Sequence, residues 1–209
     1  MTYPATFTYD GPERVANWRA LVQWLLLIPH AIVLSVLQTV SQVLALVSWF
    51  IILFTGRLPE GLATFQVMVL RYQVRVMVPL YWWSEDYPPF AFDTAAADPG
   101  GYPHARYDVE AALENRNRLS VGLRIIYLIP HLIVLAVLWL VFFVLEIIAF
   151  FAVLFTGRWP AGMKRFALGV IHWTMRVEAY GLLLMDDYPP FSLEPNPPGR
   201  SPAPAAAPA

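Results

Sequence analysis

The chain has 209 residues, of which 58% are hydrophobic and only 14% are charged, and its formal net charge is −1. Soluble domains carry about 25% charged residues, so this composition favours a membrane protein. The charge balance provides no basic field for nucleic acid, and the absence of cysteine excludes disulfides and thiolate metal sites.

One unit occurs twice along the chain, and its second copy follows 101 residues after the first. The motifs Leu-Ile-Pro-His, Leu-Phe-Thr-Gly-Arg and Asp-Tyr-Pro-Pro-Phe all return, and 29 of the 64 positions from Leu27 to Phe90 are identical at this offset. The sequence therefore predicts a tandem duplication. Its predicted parts are a first membrane repeat (1–90), a linker (91–106), a second membrane repeat (107–191) and a disordered Pro/Ala-rich tail (192–209).

Each repeat opens with an apolar segment, from Leu21 to Phe54 and from Leu123 to Phe155. A straight helix of either length would measure about 50 Å, whereas the hydrocarbon core of a bilayer is about 30 Å thick. Because proline breaks a helix or begins one, we predict a break at Pro29 and at Pro130. The expected elements are short interfacial helices (18–28 and 119–129) followed by spanning helices (30–54 and 131–155).

The motif Thr-Gly-Arg ends each spanning helix, because glycine takes the left-handed cap conformation and a basic residue suits the negative helix end. A capped turn at the membrane surface is the simpler interpretation. Capture of an anion or a lipid headgroup by Arg57 and Arg158 is the alternative.

A second helix is predicted in each repeat, from Gly61 to Trp83 and from Gly162 to Leu184. On a helical wheel Arg71 and Arg75 share one face in the first repeat, and His172 and Arg176 share the corresponding face in the second. Such a stripe can face the interior of a helix bundle, or it can contact phosphates or a partner from the interface. We expect these helices to span as well.

The predicted fold is therefore an all-α integral membrane protein, a duplicated helical hairpin with about four transmembrane helices and short interfacial helices. Two spanning helices with amphipathic helices on the surface is the rival arrangement. More basic residues fall beside the termini and the linker than beside the turns, so both termini are expected in the cytoplasm of a multi-pass cell-membrane protein.

Counting outward from the turns places Gln42, Glu146 and His172 in one polar layer inside the membrane. A carboxylate in hydrocarbon needs a partner, so Glu146 is expected to form an ion pair that locks the two halves together. A proton- or cation-coupled site is the functional alternative. The residues from Gln38 to Gln42 also form a polar band, whereas the corresponding positions of the second repeat are mostly aromatic. This band could line a cavity or a lipid groove, or pack against a neighbouring helix.

A histidine lies at the start of each predicted spanning helix. The second helix of each repeat ends on the same side of the membrane, just before an aspartate. We predict structural pairs of His30 with Asp86 and of His131 with Asp187 at this boundary. No spacing typical of a metal site accompanies these residues, so no metal or other cofactor is expected. A hydrolase triad is likewise not indicated.

The repeated motifs resemble those of a bacterial membrane family catalogued as domain of unknown function 4389. The similarity covers both halves, from about Tyr9 to Phe90 and from about Tyr107 to Phe191, although His172 replaces the arginine found at position 71. The resemblance implies a membrane location and the boundaries of the unit, and it brings no catalytic residue.

We therefore expect a non-enzymatic scaffold or a module that binds lipid or a partner. The expected partners are membrane lipids and either further copies of the chain or another membrane protein. A small transporter or channel that uses the polar layer is the alternative.

Overall fold

The computed structural model describes residues 3–195, which form six helices and two strands and are mostly helical. In chain order the elements are β1 Ala5–Tyr9, α1 Arg19–Leu26, α2 Ile28–Thr55, α3 Glu60–Leu80, β2 Ala105–Val109, α4 Arg118–Gly122, α5 Arg124–Thr156 and α6 Ala161–Gly181. The predicted tail, 192–209, lies outside the described residues from position 196 onward.

Each long helix ends at the predicted glycine turn. Gly56 and Gly157 have φ angles of 71° and 67°, in the left-handed region, and their amides donate to the carbonyl four residues earlier. A side chain is disfavoured in this conformation, so glycine closes both helices. Pro59 and Pro160 then stand extended at the N-caps of α3 and α6, close to the predicted starts of these helices.

The predicted proline break is found in the first repeat only. There α1 and α2 meet at Leu27, and Pro29 lies in the first turn of α2, where no helical hydrogen bond needs its missing amide proton. In the second repeat the break lies at Leu123, and Pro130 lies inside α5. The prediction for Pro130 is wrong, because the chain already breaks at Leu123 and α5 continues through this exposed proline.

A two-stranded antiparallel ribbon joins the chain segments that precede the two repeats, and the all-helical prediction missed it. Ala5 pairs with Val109 and Tyr9 pairs with Ala105, so that Phe7 and Tyr107 lie opposite each other at the centre. Corresponding strands of the two repeats therefore pair about a local two-fold axis. The predicted linker is the path by which the chain reaches β2.

The elements form three layers. The ribbon lies on α3 and α6, these two helices form the middle layer, and α2 and α5 form the third. Every residue from Gln66 to Val76 and from Gly169 to Val177 is buried, as expected for helices covered on all sides.

The two repeats are interlocked across these layers. Strand β2, which precedes the second repeat, packs on α3 of the first, and β1 packs on α6. In the same way α1 packs on α5, and α4 packs on α2. Each hairpin is thus completed by the segment that leads into the other hairpin.

Two of the four predicted spanning helices are long and apolar enough to cross a membrane. These are α2 and α5, whose most apolar stretches have mean hydropathies of 2.0 and 3.0. Only 17% of the residues in each stretch are buried, whereas the core helix of a soluble protein is mostly buried. Neither α3 nor α6 reaches this standard. The two apolar helices could span a membrane, and a count of four is not confirmed.

Candidate functional site

An apolar face extends over the third layer of the molecule. We use this name for the exposed side chains of α1, α2 and α5, which run from Leu21 to Phe54 and from Ile125 to Phe155. Helix α2 contains no charged residue, and α5 beyond its first residue contains only Glu146. Monomeric soluble proteins rarely expose a continuous apolar surface of this extent, so the face is a candidate interaction site.

Exposed arginines lie at the helix turns that border the apolar face. Arg57 follows α2, and the guanidinium group of Arg118 lies over the preceding glycine. Arg158 follows α5, and the chain beside Arg14 bonds to the turn through the amide of Val15. Arg57 and Arg158, two of the predicted anion contacts, are therefore accessible.

The arginine stripe of α3 faces the ribbon side instead of a lipid. Arg71 donates from Nε to the carbonyl of Tyr107 (3.0 Å) and from Nη2 to that of Ala96 (3.0 Å). Arg75 donates from Nη2 to Asp98 (3.0 Å), and both arginine side chains are only 2% exposed. The predicted lipid or partner contact of Arg71 and Arg75 is wrong, because the returning chain supplies carbonyls and a carboxylate that satisfy both groups.

The corresponding arginine of the second repeat is also buried and paired within the protein. Arg176 is buried and donates to the backbone carbonyls of Ser192 and Glu194, so its predicted role as an external contact is also wrong. His172 lies under β1, with its ring 4.9 Å from that of Phe7. Burial, with Arg176 nearby, lowers the pKa of His172 to about 4 and keeps the ring neutral at pH 7.

The predicted His–Asp pairs do not form. His30 Nδ1 lies 2.7 Å from the hydroxyl of Tyr72, and the ring stacks on Phe90 at 4.0 Å. In the second repeat His131 Nδ1 accepts from the indole of Trp173 (3.1 Å) and stacks on Phe191 at 4.1 Å.

Each histidine instead contacts aromatic residues of the second helix and of the Pro-Pro-Phe segment. The aspartates have other contacts. Asp86 accepts from Ser84 and lies 3.1 Å from Nε2 of His104, while the backbone carbonyl of Asp187 accepts from Tyr3.

The three residues of the predicted polar layer lie in three different places. Gln42 is exposed and lines a groove between α2 and α5, whereas His172 lies on the ribbon side of α6. Glu146 is half-buried, and no ion pair involving it is found among the described residues. The predicted ion pair is therefore absent from this part of the chain, because no cationic side chain of α3 or α6 points toward Glu146.

The groove beside Gln42 is the most distinctive cavity that opens on the apolar face. It has a volume of about 320 Å³ and lies where α2, α3, α5 and α6 meet. Its floor is a chain of hydrogen bonds in which Gln38 donates to Gln73 (3.0 Å) and Gln73 donates to Glu178 (2.7 Å). Ser41 also lines the groove, and its buried hydroxyl has no partner among residues 3–195.

The polar band of Gln38 to Gln42 is evident in the sequence, but its partners Gln73 and Glu178 are not. Spacing along the chain carries no signal for this contact, because the groove joins residues that are 105 positions apart.

The comparisons with known proteins identify a family. The pattern of the family described as a domain of unknown function (DUF4389) matches residues 17–91 and again residues 118–192. No curated protein and no solved structure matches the chain. The two matches cover most of the sequence and coincide with the two helical repeats. The chain therefore belongs to the DUF4389 family and carries two copies of its domain.

Proposed function

We propose that this protein is a non-enzymatic membrane module that lies on the bilayer through its apolar face and binds lipid there. The observation that carries the proposal is the exposure of α2 and α5 over their whole lengths, with only 17% of their most apolar stretches buried. In water this surface would drive aggregation, whereas contact with acyl chains removes it from water. The role is that of a scaffold held at the membrane surface.

The layer order favours the arrangement in which only α2 and α5 enter the membrane. On the far side of α3 lie the ribbon and the exposed charges of Asp93, Arg106 and Asp108. Hydrocarbon does not tolerate such charges. If α2 stood upright in the bilayer, α3 and its polar cover would enter with it, so we place both apolar helices in the plane of the membrane.

An in-plane position also fits the composition of α2 and α5, which are mostly apolar apart from the polar stretch of Ser35 to Gln42 and from Glu146. Interfacial helices usually have one polar face, but here each helix packs its inner side on the buried α3 or α6. The polar side of the molecule as a whole is formed by the ribbon and by the chain segments that follow α3 and α6.

The exposed arginines at the turns complement this placement. Arg57 and Arg158 stand beside the apolar face, where the headgroups of anionic lipids would meet them. The inner leaflet of a cell membrane is anionic, so we place the protein on the cytoplasmic side with both termini there.

Vesicle flotation tests the proposal. The wild-type chain should float with phosphatidylglycerol-containing vesicles, and Val137→Glu, at a site 60% exposed on α5, should reduce the floating fraction several-fold. Thr8→Glu places the same charge on an exposed position of β1 and serves as the matched control. The proposal fails if Val137→Glu floats as well as the control, or if the wild-type chain remains monodisperse without vesicles or detergent.

Cysteine labelling distinguishes the in-plane arrangement from a multi-pass one. The chain has no cysteine, so Thr55→Cys and Ala95→Cys each provide a single reporter. In sealed vesicles an impermeant maleimide should reach both positions from the same side. Labelling from opposite sides would instead establish hairpins that cross the bilayer.

A further inference from the structure

The floor of the groove between α2 and α5 carries a negative charge that nothing in its lining balances. Glu178 accepts one hydrogen bond from Gln73, and the groove is lined by no arginine, lysine or histidine. Beside it the hydroxyl of Ser41, in a side chain only 3% exposed, has no partner among the described residues. Buried polar groups normally have partners, so a hydroxyl without one beside an unbalanced carboxyl makes the groove a candidate ligand site.

The charged group on this floor is a hydrogen-bond acceptor. Gln73 uses its amide protons on Glu178 and on the sulfur of Met175, which leaves the second carboxylate oxygen of Glu178 at the groove. Gln38 and Gln42 keep amide protons of their own, and the Ser41 hydroxyl can donate or accept. A ligand that pairs with the carboxylate must donate hydrogen bonds to it, and a positive charge on the ligand would also neutralise it.

The walls of the groove are apolar. They include Leu70, Leu128, Leu132 and Leu182, and the exposed position of Leu132 places the opening on the apolar face. A ligand that arrives from the bilayer would thus keep its chain among leucines while its head reached the polar floor.

We propose that this groove binds the ammonium head of a long-chain amphiphile taken from the membrane. The inference rests on the proposed function only in that it places the opening of the groove against lipid. Glu178 forms the ion pair with the ammonium, Ser41 accepts one of its protons, and Gln73 holds the carboxylate in position. The volume of about 320 Å³ accommodates a head and the first part of one acyl chain.

The ionisation of Glu178 adds a pH dependence. Burial raises the pKa of this carboxyl to about 7, so the charge that would attract an ammonium group is incomplete below neutral pH. The cationic groups of the elements packed around it, Arg124 and Arg176, are engaged with Asp186 and with backbone carbonyls. Binding should therefore strengthen as the pH rises from 6 to 8.

The test uses three probes that differ only in their heads: oleylamine, oleyl alcohol and oleic acid. The full chain in a non-ionic detergent is mixed with each probe, and native mass spectrometry counts the molecules retained. We expect oleylamine to be retained at pH 8 and about tenfold less at pH 6, with little retention of the alcohol and none of the acid. Equal retention of oleyl alcohol or of oleic acid would overturn the proposal.

Two variants locate the site. Glu178→Gln keeps the size of the side chain and removes its charge, and it should reduce oleylamine retention at least tenfold. Ser41→Phe copies the residue found at the corresponding position of the second repeat, and it should fill the groove and abolish retention. If the folded Glu178→Gln variant retains oleylamine like the wild type, the amine binds elsewhere and the inference is wrong.

The same variants separate this inference from the proposed function. Neither substitution adds a charge to the apolar face, so both variants should float with vesicles like the wild type. Loss of amine binding without loss of flotation supports both proposals. Retention of phosphatidylethanolamine alongside oleylamine would identify a phospholipid source for the ammonium, whereas retention of oleylamine alone would identify a simple long-chain base.

Discussion

Corresponding positions of the two repeats contain an open groove in one case and a packed aromatic cluster in the other. In the first repeat Gln38 and Ser41 border the groove, and Gln38 bonds to Gln73. The residues 101 positions later are Trp139, Phe142 and Thr174. There the Trp139 indole donates to Thr174 (3.1 Å), so the corresponding helices α5 and α6 are also joined by a hydrogen bond, but between different side chains.

The aromatic cluster fills the space that the first repeat leaves open. The ring of Phe142 lies 4.9 Å from those of Tyr81 and Trp139, and Phe142 is only 1% exposed. Glu178, which supplies the charge of the groove, corresponds to Met77 in the first repeat. The two repeats thus share their helices, but one has a cavity lined by polar residues where the other has a packed part of the core.

The arrangement of the helices and turns is nearly the same in the two repeats, including individual hydrogen bonds. The amide of Val15 donates to the carbonyl of Gly157 (2.9 Å), and the amide of Arg116 donates to that of Gly56 (3.0 Å). These bonds cross between the repeats, so each turn is held by the segment that leads into the other hairpin. The repeats consequently form one interlocked unit, and differences inside that unit can be tested one pair of positions at a time.

The largest effect is expected where the aromatic cluster replaces the groove. Phe142→Ala should lower the free energy of unfolding by about 4 kcal/mol, because a fully buried ring is lost and a cavity remains. Ser41→Ala, at the corresponding position, should change it by less than about 0.5 kcal/mol, since its hydroxyl has no partner among residues 3–195. Denaturant unfolding in detergent measures both, and equal losses would show that the groove is as tightly packed as the cluster.

A second difference between the repeats concerns a carboxylate that accepts a hydrogen bond from a backbone amide just before the first helix of each repeat. Glu85 accepts from the amide of Ala16 (2.6 Å), and Asp186 accepts from that of Asn117 (3.0 Å). Only Asp186 also binds two buried guanidinium groups, those of Arg116 and Arg124, each at 2.8 Å.

Asp186→Ala should therefore lower the free energy of unfolding by about 3 kcal/mol, because two buried cations lose their counter-charge. This value is toward the lower end of the usual range because Asp186 is itself 26% exposed. Glu85→Ala, with a half-exposed side chain, should cost about 1 kcal/mol. Similar losses in thermal unfolding experiments would contradict the assigned role of the arginine pair.

The pH dependence of this carboxylate has a definite sign. Burial raises the pKa of Asp186, but hydrogen bonds from Arg116 and Asn117 outweigh it, so the pKa lies below the ordinary value of 3.8. Its contribution to stability is present above pH 3.8 and is lost as the pH falls through the folded pKa.

The two glycine turns should differ in their tolerance of a side chain. Both glycines have positive φ, so alanine is strained at either position. A Cβ at residue 157 would lie 2.6 Å from the backbone carbonyl of Val15, whereas at residue 56 it would meet the flexible guanidinium of Arg118 at 3.2 Å. Gly157→Ala should cost about 2 kcal/mol and Gly56→Ala about 1 kcal/mol. The reverse order in thermal unfolding would contradict the assigned contacts.

The parts of this fold that follow from local chemistry were predictable from the sequence. Gly56 and Gly157 end their helices, and the limits of α3 and α6 fall within a few residues of the predicted ones. The ribbon was missed because its strands have only five residues, although the alternation of apolar and polar residues in Ala5–Tyr9 is a strand signal.

The contacts of the polar residues were not predictable, because they depend on distant segments. Of the partners of Arg71, Ala96 lies in the predicted linker and Tyr107 lies in the strand β2 that the sequence analysis missed. Gln73 and Glu178 belong to different repeats and meet only when the hairpins pack together. Helical wheels assign a face to each side chain, but they do not identify the element that covers this face.

The smallest expected effect concerns Glu178, the charged residue of the groove that its counterpart Met77 lacks. Burial raises its pKa from 4.5 to about 7, so the folded chain holds a proton that the unfolded chain releases between these values. This group therefore makes the protein most stable below pH 4.5, and the stability declines as the pH rises to 7.

Glu178→Gln should remove this dependence, because glutamine keeps the contact with Gln73 and never ionises. The variant should match the wild type at pH 4.5 and exceed its free energy of unfolding at pH 8 by about 1 kcal/mol, a value kept small by the open groove. Glu114→Gln, at an exposed position, is the control and should shift neither value. Oleylamine should reverse the order at pH 8, because only the wild-type carboxylate gains a counter-charge from the ligand. If Glu178→Gln leaves the pH profile unchanged, the carboxylate is hydrated like any surface glutamate and the two repeats differ in shape alone.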